Sequence, residues 1–263
     1  MYARGNVLLK IPLLVGILWA NRVTYTAPTP VVTSTVTAIP CEVGYLTVRM
    51  RPPWVRKVSK VRPENCLSSK RLHSFKYQLV VRSVVLIEMI YLLATALLPS
   101  IIALASTSTA PPVRTTCAGI GINPSFALGW VLLIAGGLIR KACYREMGKN
   151  FTFELTIRRE HNLVTTGPYS VVRHPGYTAV CAVVAGTILC LFGKGSLLLE
   201  CGILGTWVGR AFALAWLAEL LSVPSIMVFS RVKTEDEMLR GTFGREWDEW
   251  ASCTPYALLP WIY

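Results

Sequence analysis

Five apolar stretches punctuate the chain: Asn6 to Ala20, Gln78 to Ala105, Ser125 to Arg140, Thr178 to Phe192, and Ser196 to Phe229. A helix of about 20 apolar residues crosses a bilayer core of about 30 Å. The pattern therefore predicts an all-α integral membrane protein with about five transmembrane helices. The first stretch is short and carries Lys10, and its core from Ile11 to Ala20 has the length of either a span or the apolar part of a secretory signal. The last is too long for one helix, since residues 196–229 would reach about 51 Å at about 1.5 Å each. Its simplest arrangement crosses once, through Ala211 to Phe229, and leaves Ser196 to Gly209 as a luminal or interfacial piece. Pro224 predicts a kink in that crossing.

Between these stretches the chain is polar, and its charges are unevenly placed. Thr24 to Pro40, rich in Thr, Pro and Val without helical period, reads as an extended linker. Arg49, Arg51, Arg56, Lys57, Lys60, Arg62, Lys70, Arg71 and Lys76 then follow, opposed only by Glu64. The connection from Ser106 to Pro124 holds Arg114 alone, whereas Lys141 to Tyr177 holds Lys141, Arg145, Lys149, Arg158, Arg159 and Arg173. Loops rich in Lys and Arg stay in the cytosol. The sides therefore alternate, with the Gly193 to Gly195 turn in the lumen and the tail, Ser230 to Tyr263, back in the cytosol. Residues 1–77 form an N-terminal apolar segment, linker and basic loop; residues 78–263 form the membrane core, with its polar motifs in 150–263.

Composition supports this reading. Of 263 residues 53% are hydrophobic and 16% charged, well below the charge content of soluble domains, about 25%. The net charge of +13 could serve nucleic acid, but that needs a soluble scaffold that this apolar chain does not offer. Eight cysteines never occur as C-x-x-C, and Cys181, Cys190 and Cys201 sit in apolar runs. Neither a metal site nor a disulfide framework is indicated, and small buried hydrophobes are the expectation. Glu88 and Glu219 lie in apolar runs, where a charge is costly and points to an interhelical polar contact or a substrate cavity. Arg210, near a boundary, is placed to snorkel. Gly205-x-x-x-Gly209 has the spacing of a helix-packing face, and Gly119-Ile-Gly121 lacks the strand and helix of a dinucleotide loop.

Two segments on the cytosolic side carry candidate chemistry. The first reads His161-Asn-Leu-Val-Thr-Thr-Gly-Pro-Tyr169-Ser-Val-Val-Arg173-His174-Pro175-Gly-Tyr177. It sets turn-formers, imidazoles and phenols at the mouth of a predicted helix. The second reads Arg231-Val-Lys-Thr-Glu235-Asp236-Glu237-Met-Leu239, then Phe243-Gly244-Arg-Glu-Trp247-Asp-Glu-Trp250. Glu235, Leu239 and the Phe243-Gly244 corner recur at spacings of four, on one face of an amphipathic helix leaving the bilayer. Taken singly, the first could be a basic turn holding phosphate headgroups and the second a solvated helix.

As a pair they resemble the isoprenylcysteine carboxyl methyltransferase family, membrane enzymes that methylate a prenylated C-terminal cysteine with S-adenosylmethionine. The shared pattern is His-x-Leu-Val-x-x-Gly-x-Tyr-x-x-x-Arg-His-Pro-x-Tyr, then Arg-x-x-x-Glu-(Glu/Asp)-x-x-Leu-x-x-x-Phe-Gly, within Asn150 to Tyr263. Asp236 stands where relatives carry a second Glu, and the Tyr177 to Arg231 interval is long, in keeping with an insertion at Ser196 to Gly209. Upstream, Glu154 or Thr156 would fill the place of a polar cofactor contact. The resemblance implies that His161, Leu163, Val164, Tyr169, His174, Pro175, Gly176, Tyr177 and Glu235 surround S-adenosylmethionine. It implies that Arg231 and Glu235 are catalytic, with Arg231 meeting the substrate carboxylate. It further implies a cytosolic cofactor pocket between the loop before the fourth span and the tail, a prenylcysteine substrate, membrane lipid around it, the endoplasmic reticulum as its site, and no metal.

Three other readings compete. Sterol reductases, NADPH-dependent membrane proteins, resemble the tail through Gly244, Trp247, Trp250 and Pro260-Trp-Ile-Tyr263, but they show Gly-Trp-Trp and His-x-Asn-Tyr-x-Gly-Asp where this chain has Gly167-Pro168-Tyr169 and His174-Pro175-Gly176-Tyr177. A phospholipid N-methyltransferase would share the cofactor without needing a carboxylate-orienting Arg. A membrane scaffold would use the basic loop from Arg49 to Lys76 to hold anionic lipid.

Overall fold

The computed structural model describes residues 4–26, 63–105, 117, 119–148, 151 and 162–262, and the side chains of most of these. Among them, five long helices follow one another: α1 (Arg4–Tyr25), α2 (Pro63–Ala105), α3 (Pro124–Met147), α4 (Pro175–Phe192) and α5 (Trp207–Ile226). Two shorter ones come in the tail, α6 (Val232–Phe243) and α7 (Arg245–Cys253). Among the described residues there is no strand. Among the described residues, four segments are long and apolar enough to cross a membrane: Lys76–Leu97 within α2, Pro124–Met147, Pro175–Glu200 and Trp207–Phe243. The expected fifth stretch, in α1, is helical as well, and it carries Lys10, Asn21 and Arg22.

α1 is nonetheless central to the packing. Leu14, Ile17 and Ala20 are fully buried, and the helix packs on α2, α3 and α4. It runs on to Tyr25, past the start expected for the linker, most of which lies outside the described residues. α3 and α4 form an antiparallel hairpin with a very close approach. A Cβ on Gly129 would come within 2.8 Å of Leu189 Cβ and 2.9 Å of the Gly186 carbonyl oxygen, so only hydrogen fits there. The small-residue helix contact is thus at Gly129 and Gly186. It is not at Gly205 and Gly209, where Gly205 ends a 3-10 turn and Gly209 sits against the Ile203 carbonyl.

Residues 196–206 form no long helix of their own. They fold as a one-turn helix (Leu197–Glu200) and a 3-10 turn (Ile203–Gly205), after which α5 begins. Beyond Pro224 the helix widens into a π-helical turn, Met227–Arg231, before α6. Proline lacks the amide that would close a normal turn, which accounts for a break in regular hydrogen bonding near it.

Contrary to the cysteine reading, Cys117 and Cys201 form a disulfide across 84 positions, tying the segment before α3 to the connection before α5. An apolar setting disguised Cys201, and no spacing motif marks a single long-range bridge. The free cysteines Cys143 and Cys190 are buried, as expected. At the same end of the bundle, Glu200 accepts from the Gly195 amide at 2.8 Å.

Glu88 proves to be an interhelical contact. Its carboxylate pairs with the Lys10 ammonium of α1, both groups buried. Lys10 also donates to the Gly195 carbonyl at 2.7 Å and lies 4.6 Å from the centre of the Phe126 ring. A cation without this neighbourhood would be costly at such depth. Replacing one partner strands the other: Glu88→Ala should lower stability by about 3–5 kcal/mol, and Lys10→Met with Glu88→Leu should recover most of it. Thermal melting in detergent, followed by circular dichroism, checks both.

Candidate active site

The Pro-Tyr-Ser segment closes a 3-10 turn (Gly167–Ser170), and Pro175 opens α4, since a proline at the first helical positions loses no intrahelical hydrogen bond. His174 is the residue just before that helix. Nearby, the chain after α7 returns alongside it. The Arg173 amide donates to the Tyr256 carbonyl at 2.9 Å, and the His174 amide to the Ala257 carbonyl at 2.8 Å. Thr178 Oγ1 donates to the Leu258 carbonyl at 2.6 Å, while Arg173 Nη1 reaches the carbonyls of Thr254 at 3.1 Å and Pro255 at 2.6 Å. A short strap, 254–258, is thereby stitched to the start of α4.

The strap holds the tail so that α6 presents its acidic turn to the same place. His174, almost fully buried, places Nε2 at 2.8 Å from Asp236 Oδ1 and Nδ1 at 3.8 Å from Glu235 Oε2. Arg173 Nη2 lies 3.4 Å from Asp236 Oδ2. Tyr177 donates its hydroxyl to Glu235. Its ring stacks on His174 at 5.5 Å and 6° and lies 5.9 Å from the Arg231 guanidinium. Two carboxylates, two guanidiniums, one imidazole and one phenol therefore meet, brought together from two segments far apart in sequence.

Tyr169 completes one side. Its carbonyl accepts from Trp250 Nε1 at 3.3 Å, which pins α7 over the turn. Burial pushes its phenol well above the ordinary tyrosine value, with Cys143 and Glu235 adding to the shift and Arg140 opposing it. This phenol stays neutral at physiological pH, a hydrogen-bonding group and not an anion.

Of the residues implied by the motifs, His174, Tyr177, Arg231 and Glu235 are joined by contact, and Pro175 and Gly176 are buried in the first turn of α4. Leu163 and Val164 are half-buried in the segment leading to the 3-10 turn. His161, with Glu154, Thr156 and Asn150, lies outside the described residues. Asp236, which the sequence marks only as a departure from the shared pattern, and Arg173 join the implied set as its carboxylate and guanidinium clamp. The strap contributes through backbone carbonyls and leaves no side-chain signal in the sequence. Arg140 of α3, an ordinary basic residue at the end of an apolar run, also reaches the site, donating to the Gly176 carbonyl at 3.1 Å.

The donor set fits a sulfonium nucleoside. Carboxylates accept from hydroxyl and amino groups, the Tyr177 ring can face a cation, and Arg231 can fork onto a carboxylate.

Over the described residues, fold and site together define a helical protein with helices long and apolar enough to span a membrane and a polar cluster assembled at one end of the bundle from the start of α4 and the tail. Residues 129–201, which include the first motif, match the family model described as "Isoprenylcysteine carboxyl methyltransferase (ICMT) family", in line with the resemblance; the second motif, from Arg231, lies beyond that match. A "Probable protein-S-isoprenylcysteine O-methyltransferase" of Oryza sativa subsp. indica is 34% identical over 128 residues, 47% of this chain and 56% of that protein. "Protein-S-isoprenylcysteine O-methyltransferase B" of Arabidopsis thaliana is 30% identical over 129 residues, 48% of this chain and 55% of that protein. "Protein-S-isoprenylcysteine O-methyltransferase A" of Arabidopsis thaliana is 43% identical over 51 residues, 19% and 26% of the two chains. The chain thus spans about half the length of the first two relatives. These matches do not favour the reductase or the phospholipid methyltransferase. No solved structure matches the chain.

The clamp at Asp236 predicts a stability effect. Asp236→Ala leaves His174 Nε2 and Arg173 Nη2 without their carboxylate and should cost about 2 kcal/mol, with Asp236→Glu milder. Melting midpoints of the three proteins test this, and an unchanged midpoint in Asp236→Ala would contradict it.

Proposed function

We propose that this protein transfers a methyl group from S-adenosylmethionine to the C-terminal carboxylate of a prenylated cysteine, with its site on the cytosolic face of the endoplasmic reticulum membrane. The observation that carries the reading is the meeting of Arg231 and Glu235 from the tail with His174 and Tyr177 from the start of α4. When bound, the cofactor supplies an electrophilic methyl group on a sulfonium. An α-carboxylate with an ordinary pKa near 3.5 is ionised at neutral pH, so the site needs no general base for it. It needs a cation that orients the carboxylate, acceptors that hold the cofactor, and cover from water. Arg231 takes the first role, as a fork-shaped and always charged group. Glu235 takes the second, fixed by the Tyr177 hydroxyl. The Tyr177 ring, held by its stacking on His174, favours a nearby cation, and Leu163, Val164, Tyr169, Pro175 and Gly176, with His161, would line the rest.

The acceptor is lipid-linked because the site sits where apolar helices end. A prenyl chain gains about 0.8 kcal/mol per buried methylene-sized group in lipid and so reaches the site from the side. Arg231 favours a carboxylate acceptor over an amine headgroup. The disulfide supports the orientation: stable disulfides belong to oxidising compartments, and Cys117–Cys201 lies at the end of the bundle opposite the site. A luminal disulfide end and a cytosolic site agree with the alternation that the basic loops also give.

The test is methyl transfer. Membranes containing the full chain, given labelled S-adenosylmethionine and either a farnesylated cysteine or phosphatidylethanolamine, should label the prenylcysteine as a base-labile ester. Label on the phospholipid instead would overturn the reading. Arg231→Ala and Glu235→Ala should each abolish turnover while the protein still inserts, and near-normal activity in either would sink its assigned role.

A further inference from the structure

Arg140 ends the span of α3 in an unusual setting. It is 4% exposed, and its guanidinium lies beside two rings that touch each other edge to face, 5.0 Å from the centre of Tyr144 and 5.3 Å from that of Phe151. Its Nε donates to the Tyr144 hydroxyl at 3.0 Å, and Nη1 to the Gly176 carbonyl at 3.1 Å. The Tyr144 hydroxyl in turn donates to the Thr24 carbonyl at the end of α1, 3.2 Å away. A continuous chain of hydrogen bonds thus runs from α1 through α3 to the first turn of α4. That turn carries Tyr177, follows His174, and is the platform on which Glu235 and Arg231 meet.

The approach is specific to the residues present. A Cβ on Gly176 would lie 2.6 Å from Arg140 Nη1, closer than real contacts come. Only glycine lets the guanidinium reach that carbonyl undisturbed. An extended fork is also required, since one end grips Tyr144 and the other Gly176; a lysine has a single head and cannot hold both. Contact with the paired Tyr144 and Phe151 rings favours the cation at this place.

We propose that Arg140 is a positioning residue for the methyl-transfer site, holding the first turn of α4 in register with α1 so that His174 and Tyr177 face the tail. The inference rests on the functional reading above. Arg140 touches neither donor nor acceptor; it acts through the Gly176 carbonyl. Its loss therefore weakens cofactor binding and leaves the chemical step, once the cofactor is held, close to normal.

The experiment measures the full chain in lipid nanodiscs, with calorimetric binding of sinefungin, a non-transferable analogue of S-adenosylmethionine, beside steady-state kinetics. Arg140→Gln should raise the sinefungin Kd and the KM for S-adenosylmethionine about tenfold, as expected for loss of a charge-assisted hydrogen bond, and change kcat by less than about twofold. The double variant Arg140→Gln/Tyr144→Phe should be no worse than Arg140→Gln alone, because both break the same chain of hydrogen bonds. Tyr144→Phe, which keeps the ring and removes only the hydroxyl, gives a milder rise and serves where Arg140→Gln fails to fold. A wild type that binds sinefungin, with Arg140→Gln or Tyr144→Phe binding it equally well, overturns the inference alone. A wild type that neither binds sinefungin nor transfers methyl overturns the functional reading and the inference with it. Additive effects of Arg140→Gln and Tyr144→Phe also overturn it, because the two would then act separately.

Discussion

The organising constraint of this molecule is the backbone pairing between the start of α4 and the strap at 254–258. The amides of Arg173 and His174 precede the first helical turn and have no intrahelical partner. Tyr256 and Ala257 accept from them instead. Once that pairing forms, α6 has one place to go, and its Glu235-Asp236 turn arrives beside the imidazole. A site built from two distant segments thereby becomes a single rigid object. The same pairing accounts for Trp250 lying over the 3-10 turn, since α7 must bridge from α6 to the strap.

Beneath the strap, the bundle is held by two different devices. At the end remote from the site, a buried ion pair and a disulfide join separate segments: Lys10 reaches Glu88 and the Gly195 carbonyl, and Cys117 reaches Cys201. Through the middle, α3 and α4 approach closely at Gly129 and Gly186, where van der Waals packing replaces a hydrophobic drive that lipid would cancel. Buried polar groups continue the theme. The Tyr77 hydroxyl donates to Asn21 at 2.7 Å, and Asn21 donates to the Ile17 carbonyl at 3.0 Å, so this amide is satisfied within the apolar interior. These contacts make α1 a structural member of the unit, although it lies outside the residues that match the family model.

Much of this was legible in the sequence, and for identifiable reasons. Helices in lipid must be long, apolar and internally hydrogen-bonded, so α2, α3, α4 and α5 stand out in the hydrophobic pattern, and the excess length of Ser196 to Phe229 required the break that residues 196–206 supply. The meeting of His174, Tyr177, Arg231 and Glu235 was legible because these residues fall in two ungapped motifs, and the helix that begins at Val232 follows from the spacing of Glu235, Leu239 and Phe243. What escaped was whatever acts without a local pattern. The strap works through carbonyls, the Cys117–Cys201 bridge joins two cysteines with no motif, and Arg140 reads as an ordinary basic residue at the end of a span. Glu88 is conspicuous by its cost, but only the fold could name Lys10 as its partner over the alternative of a cavity.

If the start of α4 and the tail together make one cofactor site, photo-crosslinking shows it most directly: irradiate membranes containing the full chain with labelled S-adenosylmethionine, digest, and sequence the labelled peptides. The predicted result is label within residues 162–177 and 231–237, competed by unlabelled cofactor. Competable label confined to other parts of the chain would contradict it.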